Sequence, residues 1–308
     1  MKSAVAAGAV ALHRRAIDGV LFADKPVGIT SQTAVLRAKQ LYGAAKAGHT
    51  GTLDPMASGL LPVCFGEATK FSHLLLDADK EYVATIRLGT TTSTGDLEGA
   101  VTATAPVDVN QAAVEAVLNG FVGEILQTPP MYSAIKHAGK PLYRYARAGI
   151  AVDRAPRCVR IRRLVLDGYS GNEMHISLAC SKGTYVRVLA EDIGRALGCG
   201  ACLSALRRTV IGQFTIDGAL PFDALQAMTT NEREAYLKPV DTLVAALPRI
   251  DLDAAQTRSI RSGIVVGSVE HAAQGLVRLY GPGERYLGIA MVEPPGRLVP
   301  RRLMATSP

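Results

Sequence analysis

The sequence contains one unusually informative segment, Gly48-His-Thr-Gly-Thr-Leu-Asp-Pro-Met-Ala-Ser-Gly-Leu-Leu-Pro-Val63. Three glycines, two prolines and several hydroxyl side chains predict that its first half is a loop. The apolar run Gly59–Phe65 indicates that this loop leads into buried structure. Pro55 favours an extended conformation at Asp54, so the loop presents this carboxylate. Asp54 is therefore either a functional carboxylate or a turn residue that hydrogen-bonds to its own backbone.

Length and composition predict a soluble globular protein with one large domain and one small domain in 308 residues. The 34 Lys and Arg residues outnumber the 27 Asp and Glu residues, which gives a net charge of +7. This excess favours a polyanionic partner, nucleic acid first, although a modest positive charge also improves solubility. No apolar run is long enough to span a membrane. Residues 1–17 are predicted to be an N-terminal extension, because their stronger charges, His13-Arg14-Arg15, follow the apolar residues 4–12, the reverse of the order in a signal peptide.

The five cysteines show no framework spacing, which predicts reduced thiols and a cytoplasmic location. Cys199-Gly-Ala-Cys202 has the spacing of a redox or metal motif, but it lacks a second pair and a nearby histidine. We interpret these two cysteines as small buried residues after a helix. These two cysteines are therefore not predicted to form a metal or redox site.

Periodicity and turn residues predict the main elements of a mixed α and β chain. Tyr185–Leu197 is predicted as a helix with a regular apolar stripe that ends at Gly198. Arg187 then lies in the first turn, off that stripe, where the helix dipole disfavours a cation, so we expect a carboxylate nearby. The other predicted elements are strands at 19–24, 80–88, 156–166 and 174–180, helices at 31–42 and 111–118, and a polar loop at 89–99.

Two further regions carry positive charge. Residues 136–147 interleave five basic side chains with Tyr143 and Tyr145, a pattern typical of a nucleic-acid surface and also of any solvated helix face. Residues 249–308 form short β-like runs, including a hairpin around Gly281-Pro-Gly-Glu284. The second region predicts a small all-β unit, separate from the body at 18–248.

Several blocks of the chain, in order, resemble the TruB family of tRNA pseudouridine synthases. The resemblance is strong over about residues 18–240 and looser in the C-terminal β unit. Besides the central segment, the matching blocks are Lys25-Pro-Val-Gly-Ile-Thr-Ser31, Gly66-Glu-Ala-Thr-Lys70, Asp79-Lys-Glu-Tyr82, Met131-Tyr-Ser-Ala134, Ser181-Lys-Gly-Thr-Tyr-Val-Arg187, Gly198-Cys-Gly-Ala201 and Leu206-Arg-Arg208.

The resemblance implies an α+β fold: a mixed, largely antiparallel sheet with flanking helices, followed by a small C-terminal all-β domain of the PUA kind. It implies isomerisation of uridine 55 in the tRNA T-loop, without cofactor or metal, by a cytoplasmic monomer that binds the T-arm stem-loop and needs no protein partner. Asp54 would be the nucleophile, which can form a covalent intermediate. The resemblance also assigns roles to His49 (RNA contact), Tyr82 (stacking on the base), Tyr185 and Leu206 (uracil pocket) and Arg187 (partner of Asp54).

Each of these residues also has an ordinary structural interpretation. Tyr82 is a typical strand aromatic, Tyr185 a half-buried helix residue, Leu206 a core residue, and His49 a partner for a loop carbonyl. For the whole chain, a non-enzymatic RNA-binding protein would account for the charge and the β unit. A hydrolase with Asp54 as nucleophile is a second alternative, but the sequence has no second carboxylate motif, metal-ligand cluster or phosphate loop to support it.

Overall fold

The computed structural model describes residues 14–267 and 274–305, and all statements below concern these residues. They form eighteen strands and eight α-helices. Strands β1 to β18, in chain order, are Gly19–Lys25, Ala47–His49, Ala57–Phe65, Lys80–Leu88, Thr90–Thr92, Val101–Thr104, Gly123–Gln127, Lys136–His137, Lys140–Pro141, Arg157–Ser170, Glu173–Cys180, Ala201–Ile211, Phe214–Thr215, Leu220–Pro221, Arg249–Asp251, Gly275–Gly281, Arg285–Glu293 and Arg297–Leu303. Helices α1 to α8 are Ser31–Leu41, His73–Leu76, Gln111–Gly120, Leu142–Arg147, Val186–Ala196, Phe222–Ala227, Thr230–Glu234 and Ala254–Arg261.

A ten-stranded sheet forms the centre of the protein. Its order is β14-β1-β3-β12-β4-β11-β10-β7, with β2 paired to β3 and β13 paired to β12. Only the pairs β1–β14 and β3–β12 are parallel, and the other pairs are antiparallel. The predicted fold class, a mixed and largely antiparallel sheet with flanking helices, is confirmed.

Local sequence explains the two helices that border the functional site. The Thr30 hydroxyl caps α1 by accepting a 3.0 Å hydrogen bond from the backbone N–H of Thr33. The apolar stripe predicted for α5 is buried, as Leu189 and Ile193 show with no exposed surface. Gly198 follows α5 with a φ of +79°, a conformation that glycine adopts without strain.

Strands β3 and β12 approach each other unusually closely at Gly59. A Cβ atom at this position would lie 2.3 Å from the backbone oxygen of Arg208, and the φ of Gly59 is +107°. Only glycine satisfies both conditions. Residues 50–56, here called the Asp54 loop, directly precede β3, so this contact fixes the loop against β12.

The C-terminal residues form a separate four-stranded sheet, in the order β15-β16-β17-β18. The predicted hairpin is β16 and β17, and the all-β character of the sheet is confirmed. Ile289 of this sheet packs into one apolar cluster with Val20, Phe71 and Leu243 of the larger body. The two sheets therefore share a buried contact.

The structure corrects two details of the predicted elements and adds short helices, among them α4 and α8. Helix α5 begins at Val186, one residue later than predicted, and Tyr185 precedes its first turn. The loop predicted at 89–99 contains β5, which pairs with β6. Within 136–147 only the last six residues are helical. Helix α8 accompanies the C-terminal sheet and was not predicted.

Candidate active site

Strand register brings the predicted site residues to one place in the sheet. Leu206 of β12 lies opposite Ala57, which follows the Asp54 loop on β3. On the other side of β12, Arg208 lies opposite Tyr82 of β4. The parallel β3–β12 pair and the antiparallel β12–β4 pair therefore place the Asp54 loop beside the middle of β12 and near the start of β4.

The Asp54 loop is clamped from the start of α1. Leu53 precedes the carboxylate, and its backbone N–H donates to the Ser31 hydroxyl at 2.7 Å. The same hydroxyl donates to the Leu53 carbonyl at 3.0 Å. Ser31 is buried, so these two bonds hold the residue next to Asp54 without competition from water.

Arg187 holds Asp54 from the start of α5. Its Nε atom donates to Oδ2 of Asp54 at 2.9 Å and lies 3.5 Å from Oδ2 of Asp96. Its Nη1 and Nη2 atoms donate to the carbonyls of Thr94 and Tyr132, each at 2.9 Å. The expected carboxylate partner is present, but the prediction that Arg187 lies off the buried face is wrong. Its side chain is only 4% exposed, because the guanidinium finds acceptors on every side.

Burial raises the pKa of Asp54 above its ordinary value. The charge of Arg187 and its hydrogen bond oppose this rise, whereas the charge of Asp96 adds to it. Asp54 is thus a desolvated carboxylate that a buried guanidinium keeps oriented. Desolvation makes such a carboxylate a better nucleophile, because fewer water molecules must leave before it reacts.

Two cavities meet at Asp54. One, of about 370 Å³, is lined by Asp54, Tyr82, Tyr185, Arg187 and Leu206, five of the six predicted site residues. Its apolar and aromatic walls suit a flat heterocyclic ring. The structure therefore brings these five side chains together around one space.

The second cavity, of about 440 Å³, is lined by His49, the sixth predicted residue, as well as by Asp54 and Arg187. The Nδ1 atom of His49 accepts a 3.2 Å hydrogen bond from the backbone N–H of Gly51. Burial, with a smaller contribution from Arg208, lowers the pKa of His49. A neutral imidazole in this wall can stack on a base or contact RNA.

Comparison with known proteins decides the family. Residues 39–186 match the N-terminal domain of the TruB family pseudouridylate synthases. Residues 187–245 match the C-terminal domain of tRNA pseudouridylate synthase B, and residues 248–304 match the C-terminal model of pseudouridine synthase II TruB. The chain belongs to the TruB family.

Relatives within the TruB family cover nearly the whole chain. A tRNA pseudouridine synthase B from Aromatoleum aromaticum is 56% identical over 294 residues, which cover 96% of this chain and 95% of that protein. A protein of the same name from Burkholderia mallei is 55% identical over 301 residues, 96% of this chain and 99% of that one. Among solved structures, a chain in the crystal structure of a Cbf5–Nop10–Gar1 complex has a TM-score of 0.72 at 26% identity and covers 92% of this chain and 84% of that one.

The structure adds site residues that the sequence did not single out. Each of them is more than nine-tenths buried and contacts the Asp54 loop, Arg187 or Tyr185. Asp96 lies 3.5 Å from Arg187, and the side-chain amide of Gln127 hydrogen-bonds to the backbone of Tyr185. Arg208 donates to backbone carbonyls of the Asp54 loop and of β3. Of these three residues, only Arg208 lies in a block that resembles the TruB family, Leu206-Arg-Arg208.

Within residues 14–267 and 274–305, no group of three or more His, Cys, Asp and Glu side chains is arranged to hold a metal ion. Cys199 and Cys202 are buried free thiols at the end of α5 and the start of β12, as we interpreted them. No helix in the described part of the chain is long and apolar enough to cross a membrane.

Proposed function

We propose that this protein isomerises uridine 55 in the T-loop of tRNA to pseudouridine. Membership of the TruB family and two relatives named tRNA pseudouridine synthase B support a reaction on tRNA. The observation that carries the proposal is the Asp54 carboxylate, 2.9 Å from the buried Nε atom of Arg187 at the wall of a ring-sized aromatic cavity.

In the proposed reaction the target uridine leaves its stack and its base enters the cavity of Tyr82, Tyr185 and Leu206. Tyr82 stacks on the base, and Asp54 acts as the nucleophile. The N1–C1′ bond breaks and a C5–C1′ bond forms. The hydrogen of C5 is lost and N1 gains one, so no atom is added or removed overall. These steps use only side chains of the site and need no cofactor or metal.

The rest of the chain provides surfaces for the T-arm stem-loop. His49 faces the second cavity beside Asp54, and residues 136–147 carry basic side chains beside tyrosines. Arg147 lies 5.7 Å from the ring centre of Tyr143, both in the wall of that cavity. We propose that the protein binds tRNA as a cytoplasmic monomer, without an obligatory protein partner.

We further propose a division into a catalytic domain at 18–248 and a PUA-like RNA-binding domain at 249–308, after an extension at 1–17. Residues 1–13 of the extension lie outside the described part of the chain. The C-terminal domain would contact tRNA outside the T-arm, through exposed arginines such as Arg297 and Arg302 on β18.

The test of the reaction uses a T-arm RNA with tritium at C5 of the target uridine. C5 loses its hydrogen only if the base is rejoined through carbon, so wild-type protein should release tritium. Asp54→Asn should bind the RNA and release none, whereas Asp223→Asn, an exposed carboxylate on α6, should match wild type. Tight binding without release by wild type would leave a non-enzymatic RNA-binding protein.

The test of the C-terminal domain replaces Arg302 with Glu. Deletion of 249–308 is unsuitable because Ile289 shares an apolar cluster with the larger body. Arg302→Glu should weaken binding of full-length tRNA and leave binding of the isolated T-arm stem-loop unchanged. Equal affinities of wild type and variant for full-length tRNA would contradict an RNA-binding role of this surface.

A further inference from the structure

The cavity of Tyr82, Tyr185 and Leu206 is surrounded by more positive than negative charge. Its walls contain the cations Lys80, Arg187 and Arg208 and one carboxylate, Asp54. Arg187 is matched by Asp54 and Asp96. For Arg208, no carboxylate oxygen lies within 4.0 Å in the described part of the chain. The wall of this cavity thus contains a cation, Arg208, that no carboxylate neutralises.

Arg208 is held by neutral acceptors only. Its side chain is fully buried, its Nε atom donates to the Leu60 carbonyl at 2.9 Å, and its Nη2 atom donates to the Gly51 carbonyl at 3.1 Å. The Nη1 atom lies 3.5 Å from the Thr52 carbonyl, a weak contact. A buried guanidinium without a counter-ion carries a large desolvation cost, so its presence beside a reaction cavity points to negative charge that arises there during the reaction.

Uridine isomerisation, the proposed function on which this inference rests, places negative charge on the base by any route. If Asp54 adds to C6, the electron pair of the C5–C6 bond moves to O4 and forms an enolate. If the N1–C1′ bond breaks first, its electron pair stays on the uracil ring as an anion. Both species place an anionic ring in a cavity that otherwise holds excess positive charge.

We propose that Arg208 is a positioning residue for the reaction, which stabilises the anionic base through the Tyr82 hydroxyl. Tyr82 lies opposite Arg208 in the β4–β12 pair, and both side chains line the same cavity. If an N–H group of Arg208 donates to the phenol oxygen of Tyr82, the Tyr82 O–H remains free. It can then donate to an oxygen of the anionic uracil ring. The cation strengthens that O–H donor, as charge-assisted hydrogen bonds are shorter and stronger than neutral ones.

The charge state of the neighbouring groups agrees with this arrangement. Burial raises the pKa of Tyr82, so the phenol stays protonated and serves as a donor, while the charge of Arg208 opposes that rise. Lys80 is the second cation, and burial lowers its pKa to about 8. Its Nζ atom donates to the carbonyls of Leu75, Leu76 and Ala78, so it contributes charge to the cavity wall with its donors already occupied.

The test compares two T-arm RNAs, one with uridine and one with 5-fluorouridine at the target position, under single-turnover conditions. Fluorine at C5 withdraws electrons and stabilises an anionic ring without help from the protein. Consumption of the target nucleoside is measured after nuclease digestion. Arg208→Met should slow the uridine reaction by about 10²- to 10³-fold, as removal of an oxyanion donor does in other enzymes. With 5-fluorouridine the deficit should be smaller by about tenfold, the effect of one unit of ring acidity.

Two variants control this comparison. Arg208→Lys keeps the charge and should recover part of the lost rate. Arg207→Met removes the adjacent exposed arginine, whose partner is Asp24 at 2.6 Å, and should react with both RNAs as wild type does. If Arg208→Met does not fold, Tyr82→Phe replaces it, because loss of the hydroxyl should give the same smaller deficit with 5-fluorouridine.

Each outcome bears on one proposal. Equal deficits with both RNAs would overturn the electrostatic role of Arg208, and so would an unchanged rate with uridine. A wild-type protein that consumes neither nucleoside would instead contradict the proposed function itself.

Discussion

The side-chain amide of Gln127 holds both backbone polar groups of Tyr185. Its Oε1 atom accepts from the Tyr185 N–H at 3.0 Å, and its Nε2 atom donates to the Tyr185 carbonyl at 3.4 Å. Gln127 is 2% exposed and ends β7, directly before the segment that leads to the basic residues 136–147. One amide thus joins the edge of the large sheet to the start of α5, where the predicted uracil pocket and Arg187 begin.

Replacing Gln127 with Leu should reduce both stability and turnover. The backbone N–H of Tyr185 loses its acceptor inside the protein, which costs about 1–3 kcal/mol of unfolding free energy. Turnover should fall by at least about tenfold, because small displacements of positioning groups are costly in catalysis. Gln127→Glu keeps the acceptor for the N–H and should lie between Leu and wild type. Chemical denaturation and tritium release measure the two effects, and a Leu variant as active as Glu would refute the positioning role.

Replacing Arg187 with Lys should shift the acid limb of the activity profile to higher pH. Arg187 lowers the pKa of Asp54 against the effect of burial, and an ammonium cannot reproduce its four contacts. Asp54 then needs a higher pH to ionise, and kcat/KM falls further at acid pH than at neutral pH. The pH dependence of kcat/KM with the T-arm RNA measures the shift.

Removal of the negative charge of Asp96 provides the control for the Arg187 variant. Asp96 raises the pKa of Asp54, so Asp96→Asn should move the acid limb to lower pH relative to wild type. If the acid limb of the kcat/KM profile moves in the same direction in both variants, then geometry, and not charge, governs the pH dependence.

Two buried lysines should each contribute a stabilisation that grows as the pH rises from about 8 to 10.5. Burial lowers the pKa of Lys25 and of Lys80 from 10.5 to about 8. In this window the unfolded chain binds protons at these positions and the folded protein does not, so raising the pH favours the folded state. Each lysine adds a slope of about 1.4 kcal/mol per pH unit in that window. Urea unfolding of wild type and Lys25→Met at several pH values isolates the contribution of Lys25, because the buried cysteines and tyrosines, whose raised pKa values act in the opposite direction, are common to both proteins. The slope of the variant should be lower by the contribution of one lysine, and equal slopes would contradict the prediction.

Replacing Ile289 with Ala should destabilise the whole protein and not the C-terminal sheet alone. Ile289 is 1% exposed, and its cluster includes Val20 and Phe71 of the larger body. Removal of its buried methyl groups should cost about 2–5 kcal/mol. Ile264→Ala is the matched control, because Ile264 is 58% exposed in the same unit. Differential scanning calorimetry should show one transition at a lower temperature for Ile289→Ala. A separate early transition would show that the two sheets unfold independently.

The sequence predicted those features that local patterns encode. Glycines and prolines marked the loop that presents Asp54, and alternation marked Lys80–Leu88 as a strand. The position of Arg187 at the start of a helix, unfavourable by itself, correctly indicated a carboxylate partner. Each of these inferences depends on neighbours within a few residues in the chain.

Local patterns could not predict contacts between residues that are far apart in the sequence. Arg208 and the carbonyl of Leu60 are 148 positions apart, and Gln127 and Tyr185 are 58 apart. A buried arginine and an exposed one look alike in sequence, as the pair Arg207 and Arg208 illustrates, because strand register alone decides which of them faces the interior. Asp96 was likewise not predicted as a site residue, because the polar segment 89–99 has the composition of an ordinary surface loop.

The contact at Gly59 also limits how this protein can be changed. The space that a methyl group would need there is already filled by the backbone of Arg208, and no rotation of a side chain can vacate it. A library of random variants selected only for solubility should therefore return glycine at this position, although Gly59 lines neither of the two cavities at Asp54. The close pairing of β3 with β12 thus depends on a residue that has no side chain.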